Sequence, residues 1–297
     1  MALRKTILQL LSMTIFIIYT PTFSNTATST ASISDKELQI LSEDLLKNDI
    51  NNVADLITVN LQSQVRQGNK DDAAPSRLLT VNPKAWEKQT IGLLQLLFDN
   101  FDPDVKEPEE VTPIEQYEVD RFLDAILKTP IMEITRNFLA TKGYVSYDLR
   151  SFKEFMYEIW FQMYPRGKGK PNSSGFEHVF IGELKGRDIG GFHNWVRFYN
   201  EEQQNRANYL GFIEDKATNR RGGIIKLTFK WDSNFKPIGS IFVGTSPEFE
   251  MALYTVCFLA RPNRTCPIKL NGLPVIIQTH QREYNGKVYI GTAYPAN

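Results

Sequence analysis

Residues 175–183 read Gly175-Phe-Glu-His178-Val-Phe-Ile-Gly-Glu183, and residues 191–199 read Gly191-Phe-His193-Asn-Trp-Val-Arg-Phe-Tyr199. The two segments hold two of the chain's three histidines, each next to glycine and aromatic residues. Imidazole both accepts and donates protons near neutral pH, so two of them can act as base and acid in one displacement. Lys236, followed by Pro-Ile-Gly-Ser, adds a cation for an oxyanion or a phosphate. His178, His193 and Lys236 are therefore the predicted catalytic residues, a set that can cleave RNA without a metal at the bond.

Period-2 alternation gives these side chains a direction. If residues 177–182 form a strand, His178 points away from both Glu177 and Glu183. A lone histidine in a strand is more often a core or edge residue than a catalyst, but two of three in such surroundings weaken that interpretation. The third, His280, has no comparable neighbours and is predicted to lie on the surface. The same alternation predicts that two pairs share a face: Lys236 with Ser240, and Thr292 with Tyr294.

The chain before residue 165 has helical periodicity. Ser34 followed by Glu37 has the spacing of a capping box, and leucines then recur at helical intervals. Further helices are predicted over residues 86–98, from Thr112 onward, and over residues 132–142 and 149–163, with an acidic, proline-rich loop at 99–113.

After residue 165 the pattern changes to short runs of Val, Ile, Phe and Tyr separated by Gly, Asn and Asp. Asn285-Gly286 between two such runs is a strong hairpin signal, and helices are predicted after His193 and from Ser246. Strands are predicted at residues 177–182, 224–231, 240–243, 274–280 and 287–293, with a turn at 232–234. The predicted fold class is α+β, with a mainly helical half at 34–164 followed by an antiparallel β-sheet half at 165–297 that carries the site.

The formal net charge of zero hides an asymmetry between the halves. Residues 1–160 hold 16 Lys and Arg against 23 Asp and Glu, whereas residues 161–297 hold 18 against 11. A basic C-terminal half fits a chain that binds an anion such as a nucleic acid, although an excess of this size is also typical of a solvated face.

The N-terminus has the form of a secretory signal. Arg4 and Lys5 precede an apolar run over residues 7–19, which is shorter than the ~20 apolar residues needed to span a bilayer. We therefore predict a signal peptide at 1–24, a mobile leader at 25–33 and a secreted protein, with a retained N-terminal anchor as the alternative. No later segment is long and apolar enough to cross a membrane.

Export makes the cysteines and the sequons interpretable. In an oxidising compartment Cys257 and Cys266 are expected to form a disulfide that closes a short hairpin-like loop. A catalytic thiol is the poorer interpretation, because neither cysteine lies in a motif with a histidine. Asn172 and Asn263 begin Asn-x-Ser/Thr sequons and are predicted glycosylation sites.

Other chemistries find little support in the sequence. The chain has no compact zinc spacing such as His-Glu-x-x-His, no Gly-x-Ser-x-Gly elbow and no phosphate loop of the Gly-Lys-Ser/Thr type. Loose binding of a hard cation by carboxylates stays open, with Glu201, Glu202 and Asp232 as candidate groups.

Four long motifs of the chain lie at residues 173–183, 191–199, 238–249 and 252–262. All four closely resemble the EndoU family of uridylate-preferring endoribonucleases. The resemblance extends over 34–297 and implies that the two histidines and the lysine named above are catalytic. It further implies that Ser240 and Tyr294 hold the uracil ring, by hydrogen bonding and by stacking respectively. Thr292, on the same side as Tyr294, is the third predicted substrate-binding residue.

The resemblance also implies a reaction. His193 would remove the proton of the ribose 2′-OH, His178 would protonate the departing 5′-oxygen, and Lys236 would balance charge on the phosphoryl group. The expected substrate is single-stranded, uridine-containing RNA, and the expected products carry a 2′,3′-cyclic phosphate and a 5′-hydroxyl. Manganese-stimulated cleavage is implied, with Ca²⁺ effects in some animal members, although no ligand set is legible; a monomer is the expected form. The alternative is a secreted RNA-binding or adhesion module that kept the fold and lost turnover.

Overall fold

The computed structural model describes residues 30–106, 109, 111–167, 169–217 and 221–296. The predicted signal peptide and residues 25–29 of the predicted leader lie outside these ranges. At the end of the predicted leader, the Ala31 amide donates to the Lys142 carbonyl over 2.9 Å, and Ile33 is buried. Among the described helices, none has the length and apolar character needed to cross a bilayer.

Two of the five described α-helices of the N-terminal half begin at caps that the sequence predicts. The five helices are α1 (Asp35–Lys47), α2 (Gln89–Leu96), α3 (Pro113–Ile126), α4 (Pro130–Thr141) and α5 (Leu149–Phe161), with short 3₁₀ helices at Ala54–Leu56 and Pro83–Glu87. Ser34 and Glu37 form the predicted capping box, and Thr112 and Glu115 form a second one at α3. The predicted helix at 86–98 is shorter, because Lys88 has extended backbone angles and separates α2 from the 3₁₀ helix before it.

The sequence pattern does not reveal two short strands in the same half. β1 (Ile57–Val59) pairs antiparallel with β2 (Leu79–Val81). Each strand has three residues, which is too few for a period-2 pattern to be recognised.

Two antiparallel three-stranded sheets dominate the C-terminal half, which confirms the predicted α+β class. The elements of this half are β3 (Glu183–Lys185), β4 (Asp188–Gly190), α6 (Trp195–Gln203), β5 (Ala207–Ala217), β6 (Gly223–Trp231), β7 (Asn234–Val243), α7 (Pro247–Ala260), β8 (Thr265–Leu270), β9 (Leu273–Tyr284) and β10 (Lys287–Pro295). The sheets have the orders β5-β6-β7 and β10-β9-β8, and β3 pairs with β4.

The predicted strands after residue 220 all lie within these longer strands, and both predicted hairpin turns are confirmed. Asn285 and Gly286 have positive φ angles of 50° and 74°, which suit a tight turn between β9 and β10. The sequence pattern misses β3, β4, β5 and β8. The helices after His193 and Ser246 are confirmed as α6 and α7.

Residues 177–182 do not form the predicted strand. Glu177–Ile181 is a single helical turn of π geometry. Phe176 and Phe180, four residues apart, lie on one face of this turn and stack with 4.9 Å between their ring centroids. Phe176 also stacks on Phe161 of α5. The apolar run is too short for its period to distinguish strand from helix, and the packing of these rings selects the helical turn.

Cys257 and Cys266 form the predicted disulfide, with their Cα atoms 5.6 Å apart. The bridge does not close a hairpin, because Cys257 lies in α7 and Cys266 in β8. It ties the last turn of the helix to the edge strand of the second sheet.

One buried apolar cluster runs through both halves of the described chain. Almost every side chain of α7 is buried, and this helix packs against α1, α2, α4 and β9. A helix that is buried around its whole circumference belongs in a core. α7 therefore connects the helical half to the sheet of order β10-β9-β8.

Buried carboxylates lie at the N-terminal end of α7. Glu248 is fully buried, and its Oε1 accepts a hydrogen bond from Asn51 Nδ2 over 2.7 Å. Asp49 is also buried, and its Oδ1 has no hydrogen-bond partner among the described residues. Burial, with the negative charge of Asp49, raises the pKa of Glu248 to about 7.

We expect Glu248→Gln to stabilise the protein above pH 7. The folded chain holds a proton on Glu248 up to about pH 7, whereas an unfolded chain releases it near its ordinary pKa of about 4.3. The contribution of this carboxyl to stability therefore falls as the pH rises through that window. Glutamine keeps the acceptor for Asn51 and offers a donor to Asp49. We expect a Tm at pH 8.5 about 5 °C above that of the wild type.

Thermal unfolding at pH 8.5 and at pH 4.5 checks this prediction. At the lower pH the wild-type carboxyl holds its proton when folded, so the two proteins should differ little. Glu283→Gln, at an exposed position of β9, is the matched control and should leave the Tm unchanged at both pH values. An equal gain at both pH values would show that the effect does not come from the charge of Glu248.

Candidate active site

The two histidine segments lie side by side and are joined through their backbones. The Phe192 amide donates to the His178 carbonyl over 2.9 Å, and the His193 amide donates to the Val179 carbonyl over 2.7 Å. Gly191 permits this approach, because its φ is +55° and a Cβ there would lie 1.7 Å from the His178 carbonyl oxygen. The motif glycine thus lets both imidazoles reach one site.

Phe192 holds a strained backbone directly before His193. Its φ of 67° lies in the left-handed region, which a bulky residue rarely adopts. Its side chain is fully buried and meets Phe229 and Trp231 edge to face, with ring centroids 5.3 and 4.8 Å away. This aromatic packing holds the strained conformation in place, as is common where a functional side chain must be aimed.

His178 contacts Glu183, so the predicted separation of His178 from this glutamate is wrong. The His178 Nδ1 and Glu183 Oε2 atoms are 2.8 Å apart, because the intervening chain is a helical turn to which strand alternation does not apply. Glu183 begins β3 and is buried. Its Oε1 accepts hydrogen bonds from Arg166 Nε over 2.8 Å and from the Ser173 hydroxyl. A carboxylate only accepts, so the Nδ1 of His178 carries the hydrogen and Nε2 is left for a ligand.

These contacts fix the charge of Glu183. Burial alone would raise its pKa, but His178, Arg166 and the Ser173 hydroxyl together outweigh burial and hold the pKa at about 2. The pKa of His178 is lowered mainly by burial; Glu183 opposes this shift, and the positive charges of Arg166 and Lys236 add to it. Glu183 therefore keeps the protonated form of His178 accessible.

His193 is held by the backbone of β7. Its Nδ1 lies 2.8 Å from the Ser240 carbonyl oxygen, which can only accept, so Nδ1 carries the hydrogen and Nε2 has the lone pair. The residue is 7% exposed. Burial is the main cause that lowers its pKa well below the ordinary value, and the positive charges of Lys236 and His178 add to it. His193 is therefore neutral at neutral pH, with a free lone pair.

Lys236 reaches the site from β7. Its Nζ donates to the Ile189 carbonyl of β4 over 2.8 Å. Gly190, the next residue of β4, pairs with Glu183, which contacts His178. Burial lowers the pKa of Lys236 to about 8, and Glu183 opposes this shift. The side chain is therefore charged at neutral pH.

The prediction that Lys236 and Ser240 share a face assumes regular alternation along β7, and β7 is not regular between them. Between Lys236 and Gly239 the register with β6 shifts, so two residues of β7 face a single residue of β6. This bulge interrupts the alternation on which the prediction depends. The contact that Ser240 makes with the site is through its backbone carbonyl, to His193.

Thr292 and Tyr294 approach from β10. No register shift separates them, so the predicted common face is confirmed. The Tyr294 ring stacks on the His193 imidazole, with 4.8 Å between ring centroids and 17° between ring planes. The Thr292 hydroxyl is buried and makes no hydrogen bond with the described residues. His280 is exposed, as predicted.

The structure brings His178, His193 and Lys236 into one site. Lys236 binds the Ile189 carbonyl of β4, and β4 pairs with Glu183, the partner of His178. The Ser240 carbonyl that holds His193 lies on the same strand as Lys236. Sequence interpretation misses two residues of this site, Glu183 and Arg166. Glu183 stands five residues after His178 in the first quoted segment, and that spacing is a usable signal. Arg166 has no such signal, because its contact with Glu183 depends on the path of a loop.

The described residues do not fit a resident metal ion. Among them, no group of three or more histidine, cysteine, aspartate or glutamate side chains is placed to hold one. Glu201 is instead bound by Arg206 and Arg197, at 2.6 and 3.2 Å. Glu202 accepts a hydrogen bond from the Leu78 amide over 2.8 Å. Two of the three carboxylates considered for a hard cation are therefore committed to protein partners.

The two sequon asparagines differ in their surroundings. Asn172 Nδ2 donates to the Val105 carbonyl, and its Oδ1 accepts from the Arg166 amide over 2.9 Å. Asn263 is exposed, and its Nδ2 donates to Gln281 Oε1 over 3.1 Å. A glycan on Asn172 would replace a hydrogen that holds the Val105 loop, whereas one on Asn263 would extend from the surface. Glycosylation at both positions stays a prediction.

Comparison with known proteins gives consistent matches over most of the chain. The family model described as Endoribonuclease XendoU matches residues 37–295. Uridylate-specific endoribonuclease B of Danio rerio is 39% identical over 273 residues, which cover 88% of this chain and 96% of the relative. The human uridylate-specific endoribonuclease is 36% identical over 275 residues, covering 90% and 67% respectively. A solved structure of XendoU, described as a splicing independent snoRNA processing endoribonuclease, superposes with a TM-score of 0.74 at 34% identity, covering 87% of this chain and 96% of its own.

Proposed function

Because the chain belongs to the XendoU family of endoribonucleases, we propose that it cleaves single-stranded RNA at uridylates by attack of the ribose 2′-hydroxyl. Its relatives from Danio rerio and human carry the name uridylate-specific endoribonuclease. The observation that carries the proposal is the pair of imidazoles, partly buried His178 and buried His193, in different hydrogen-bond environments and beside one ammonium.

His193 is the base. Its Nε2 holds the lone pair, because Nδ1 donates to the Ser240 carbonyl, and burial keeps the ring neutral. It takes the proton of the 2′-hydroxyl while that oxygen attacks the adjacent phosphorus. Deoxyribose lacks this hydroxyl, so DNA can bind but is not cut.

His178 is the acid. The Glu183 carboxylate at 2.8 Å from Nδ1 stabilises its imidazolium form, and the hydrogen on Nε2 goes to the departing 5′-oxygen. The bond from phosphorus to the 5′-oxygen breaks as the bond to the 2′-oxygen forms. The products therefore carry a 2′,3′-cyclic phosphate and a 5′-hydroxyl.

Lys236 balances the negative charge on the non-bridging oxygens. One hydrogen of its ammonium is held by the Ile189 carbonyl, and an ammonium has three, so two remain for the phosphate. Burial strengthens this interaction, because the effective dielectric is lower than in water.

Ser240, Thr292 and Tyr294 are proposed to hold the uracil ring. Support comes from the buried Thr292 hydroxyl, which has no hydrogen-bond partner among the described residues and which a polar edge of the base would satisfy. The aromatic ring of Tyr294 offers a stacking face for the uracil beside His193, the general base that removes the proton of the 2′-hydroxyl.

An oligonucleotide with one uridine among adenosines tests this function. We expect a single cut, at the uridine, with a 2′,3′-cyclic phosphate and a 5′-hydroxyl identified by mass spectrometry. The matched oligonucleotide with cytidine should be cut much more slowly, and the one with 2′-deoxyuridine should stay intact. A 5′-phosphate product, or cutting of the deoxyuridine substrate, would overturn the proposal.

Manganese stimulation stays a prediction of the family resemblance, and so do Ca²⁺ effects. The same cleavage assay after thorough chelation tests them. Cutting that persists fits chemistry by His178, His193 and Lys236. Complete loss that Mn²⁺ restores on a dinucleotide substrate would favour a metal-dependent phosphodiesterase instead.

We expect Glu183→Gln to slow cleavage about 10²-fold and to move the alkaline limb of the pH–rate profile to lower pH. The carboxylate opposes the effect of burial on His178, so its loss lowers the pKa of that imidazole further and the acid is lost sooner as the pH rises. The measurement is kcat/KM against pH on the single-uridine oligonucleotide. Glu154→Gln, which removes an exposed partner of Arg150, is the control and should keep the wild-type profile. A slower variant with an unmoved limb would contradict this role for Glu183.

We also propose that the protein is a secreted monomer. The Cys257–Cys266 disulfide supports secretion, because such bonds form in oxidising compartments. Expression of the full chain in animal cells, with N-terminal sequencing of protein from the medium, should give a mature start near residue 25. Chromatographic size and glycosidase treatment of the same material test the monomer and the glycans on Asn172 and Asn263. Protein that stays in the cells with residues 1–24 attached would overturn secretion.

A further inference from the structure

The Tyr294 ring lies against the imidazole of His193. The ring centroids are 4.8 Å apart, and the ring planes are nearly parallel, at 17°. His193 is buried, while Tyr294 is half-buried at the end of β10. The two residues come from different parts of the fold, since His193 directly precedes α6.

This contact completes the support of the His193 ring. The His193 amide and Nδ1 are each fixed by one backbone carbonyl, from Val179 and from Ser240. A single hydrogen bond at Nδ1 still allows the plane of the imidazole to tilt about the axis of that hydrogen bond. A parallel ring packed on one face removes that freedom and so directs Nε2.

The contact with Tyr294 also affects the stability of the protonated form of His193. The groups that face it are Lys236 from β7, His178 from the π-helical turn and Tyr294 from β10. In the described part of the chain, no carboxylate oxygen lies within 4 Å of its ring nitrogens, in contrast to His178, which is paired with Glu183. When His193 takes a proton, two electron-rich groups lie next to the new cation, the Ser240 carbonyl at Nδ1 and the face of the Tyr294 ring.

We propose that Tyr294 is a positioning residue for His193. The face of its phenol ring aims the imidazole of His193 and stabilises the protonated form of that imidazole. This role is separate from contact with uracil, for which the other face and the hydroxyl of Tyr294 remain. The proposal rests on the proposed function in one respect, that His193 is the base.

The test is an imidazole titration by NMR in the absence of RNA. The chain has three histidines, so signals of labelled histidine can be assigned with His178→Ala and His280→Ala. Tyr294→Leu should reduce the proton affinity of His193 about two- to fivefold, because it removes the ring face. Tyr294→Phe keeps that face and should leave the titration of His193 unchanged. The His280 signal should not move in either variant.

Cleavage kinetics supply the second readout. In Tyr294→Leu, kcat should fall and the acidic limb of the pH–rate profile should move to lower pH. Tyr294→Phe should have the wild-type kcat and the wild-type acidic limb. Any loss of kcat/KM in this variant should come from a higher KM. Tyr284→Leu makes the same substitution at the opposite end of the β9–β10 hairpin and should behave as the wild type; thermal unfolding of all three variants confirms that they fold.

Two results would overturn the proposal. One is a leucine variant whose His193 titration and acidic limb match the wild type while only KM rises, which would make Tyr294 a substrate contact alone. The other is a phenylalanine variant that shifts the His193 titration as far as leucine does, which would assign the effect to the hydroxyl. Because the titration needs no substrate, a wild-type protein that fails to cut RNA would defeat the proposed function and leave the test of the ring contact intact.

Discussion

Alanine at His193 should slow cleavage of a uridine-containing oligonucleotide by about 10²–10⁴-fold, and alanine at His178 should do the same. Each variant removes one of the two proton transfers that the displacement needs. His193 offers its Nε2 lone pair because Nδ1 is engaged by the Ser240 carbonyl. His178 is held as a donor by Glu183. A rate within tenfold of the wild type in either variant would show that the role assigned to that residue is wrong.

The two variants should differ on a substrate with a better leaving group. In the p-nitrophenyl ester of uridine 3′-phosphate, the leaving group departs as a stable phenolate and needs no proton. His178→Ala should therefore approach the wild-type rate on this ester, whereas His193→Ala should stay slow, because the 2′-hydroxyl still has to lose its proton. His280→Ala, at an exposed histidine, is the control and should match the wild type on both substrates. If His193→Ala, and not His178→Ala, approached the wild-type rate on the ester, His193 would be the acid and His178 the base.

Local signals in the sequence account for most of the fold. The capping boxes at Ser34 and Thr112 set the starts of α1 and α3, because a side chain that satisfies free backbone amides acts within four residues. The turn at Asn285-Gly286 is equally local, since both residues adopt the positive φ that the hairpin needs. The short pair of β1 and β2 depends on contacts between distant segments, which leave no period in three residues.

In the candidate site, the identity of the residues could be predicted from the sequence, but the direction of their side chains could not. Residue type and spacing identify His178, His193 and Lys236, because few other side chains perform their chemistry. The direction of each side chain could not be predicted, because it depends on backbone irregularities. A π-helical turn rotates His178 toward Glu183, and a bulge in β7 separates Lys236 from the face predicted for Ser240. The π-helical turn is stabilised by the packing of Phe176 on Phe161 of α5, which is distant in sequence. The bulge lies at Pro237, and a proline within a strand is a local signal for a bulge or an edge but does not fix which side chains change face.

Methionine at Lys236 should slow cleavage by about 10²–10³-fold at pH 7. The substitution keeps most of the length of the side chain and removes the ammonium that faces the phosphoryl oxygens. It also removes the hydrogen bond to the Ile189 carbonyl, so part of the loss could come from altered packing of β4. The pH dependence of the effect separates charge from packing.

The pKa of Lys236 in the free protein is about 8, so the wild type loses this positive charge as the pH rises through 8, whereas Lys236→Met has no charge there to lose. The ratio of kcat/KM between wild type and Lys236→Met should therefore fall between pH 7 and pH 9.5, measured in short reactions with an enzyme-free blank subtracted. Lys287→Met, at an exposed lysine at the start of β10, should give a ratio near one throughout. Lys236→Arg stays charged over this whole range, so its kcat/KM should increase relative to that of the wild type as the pH rises. A ratio for Lys236→Met that stays constant over the range would mean that the side chain acts by packing and not by its charge.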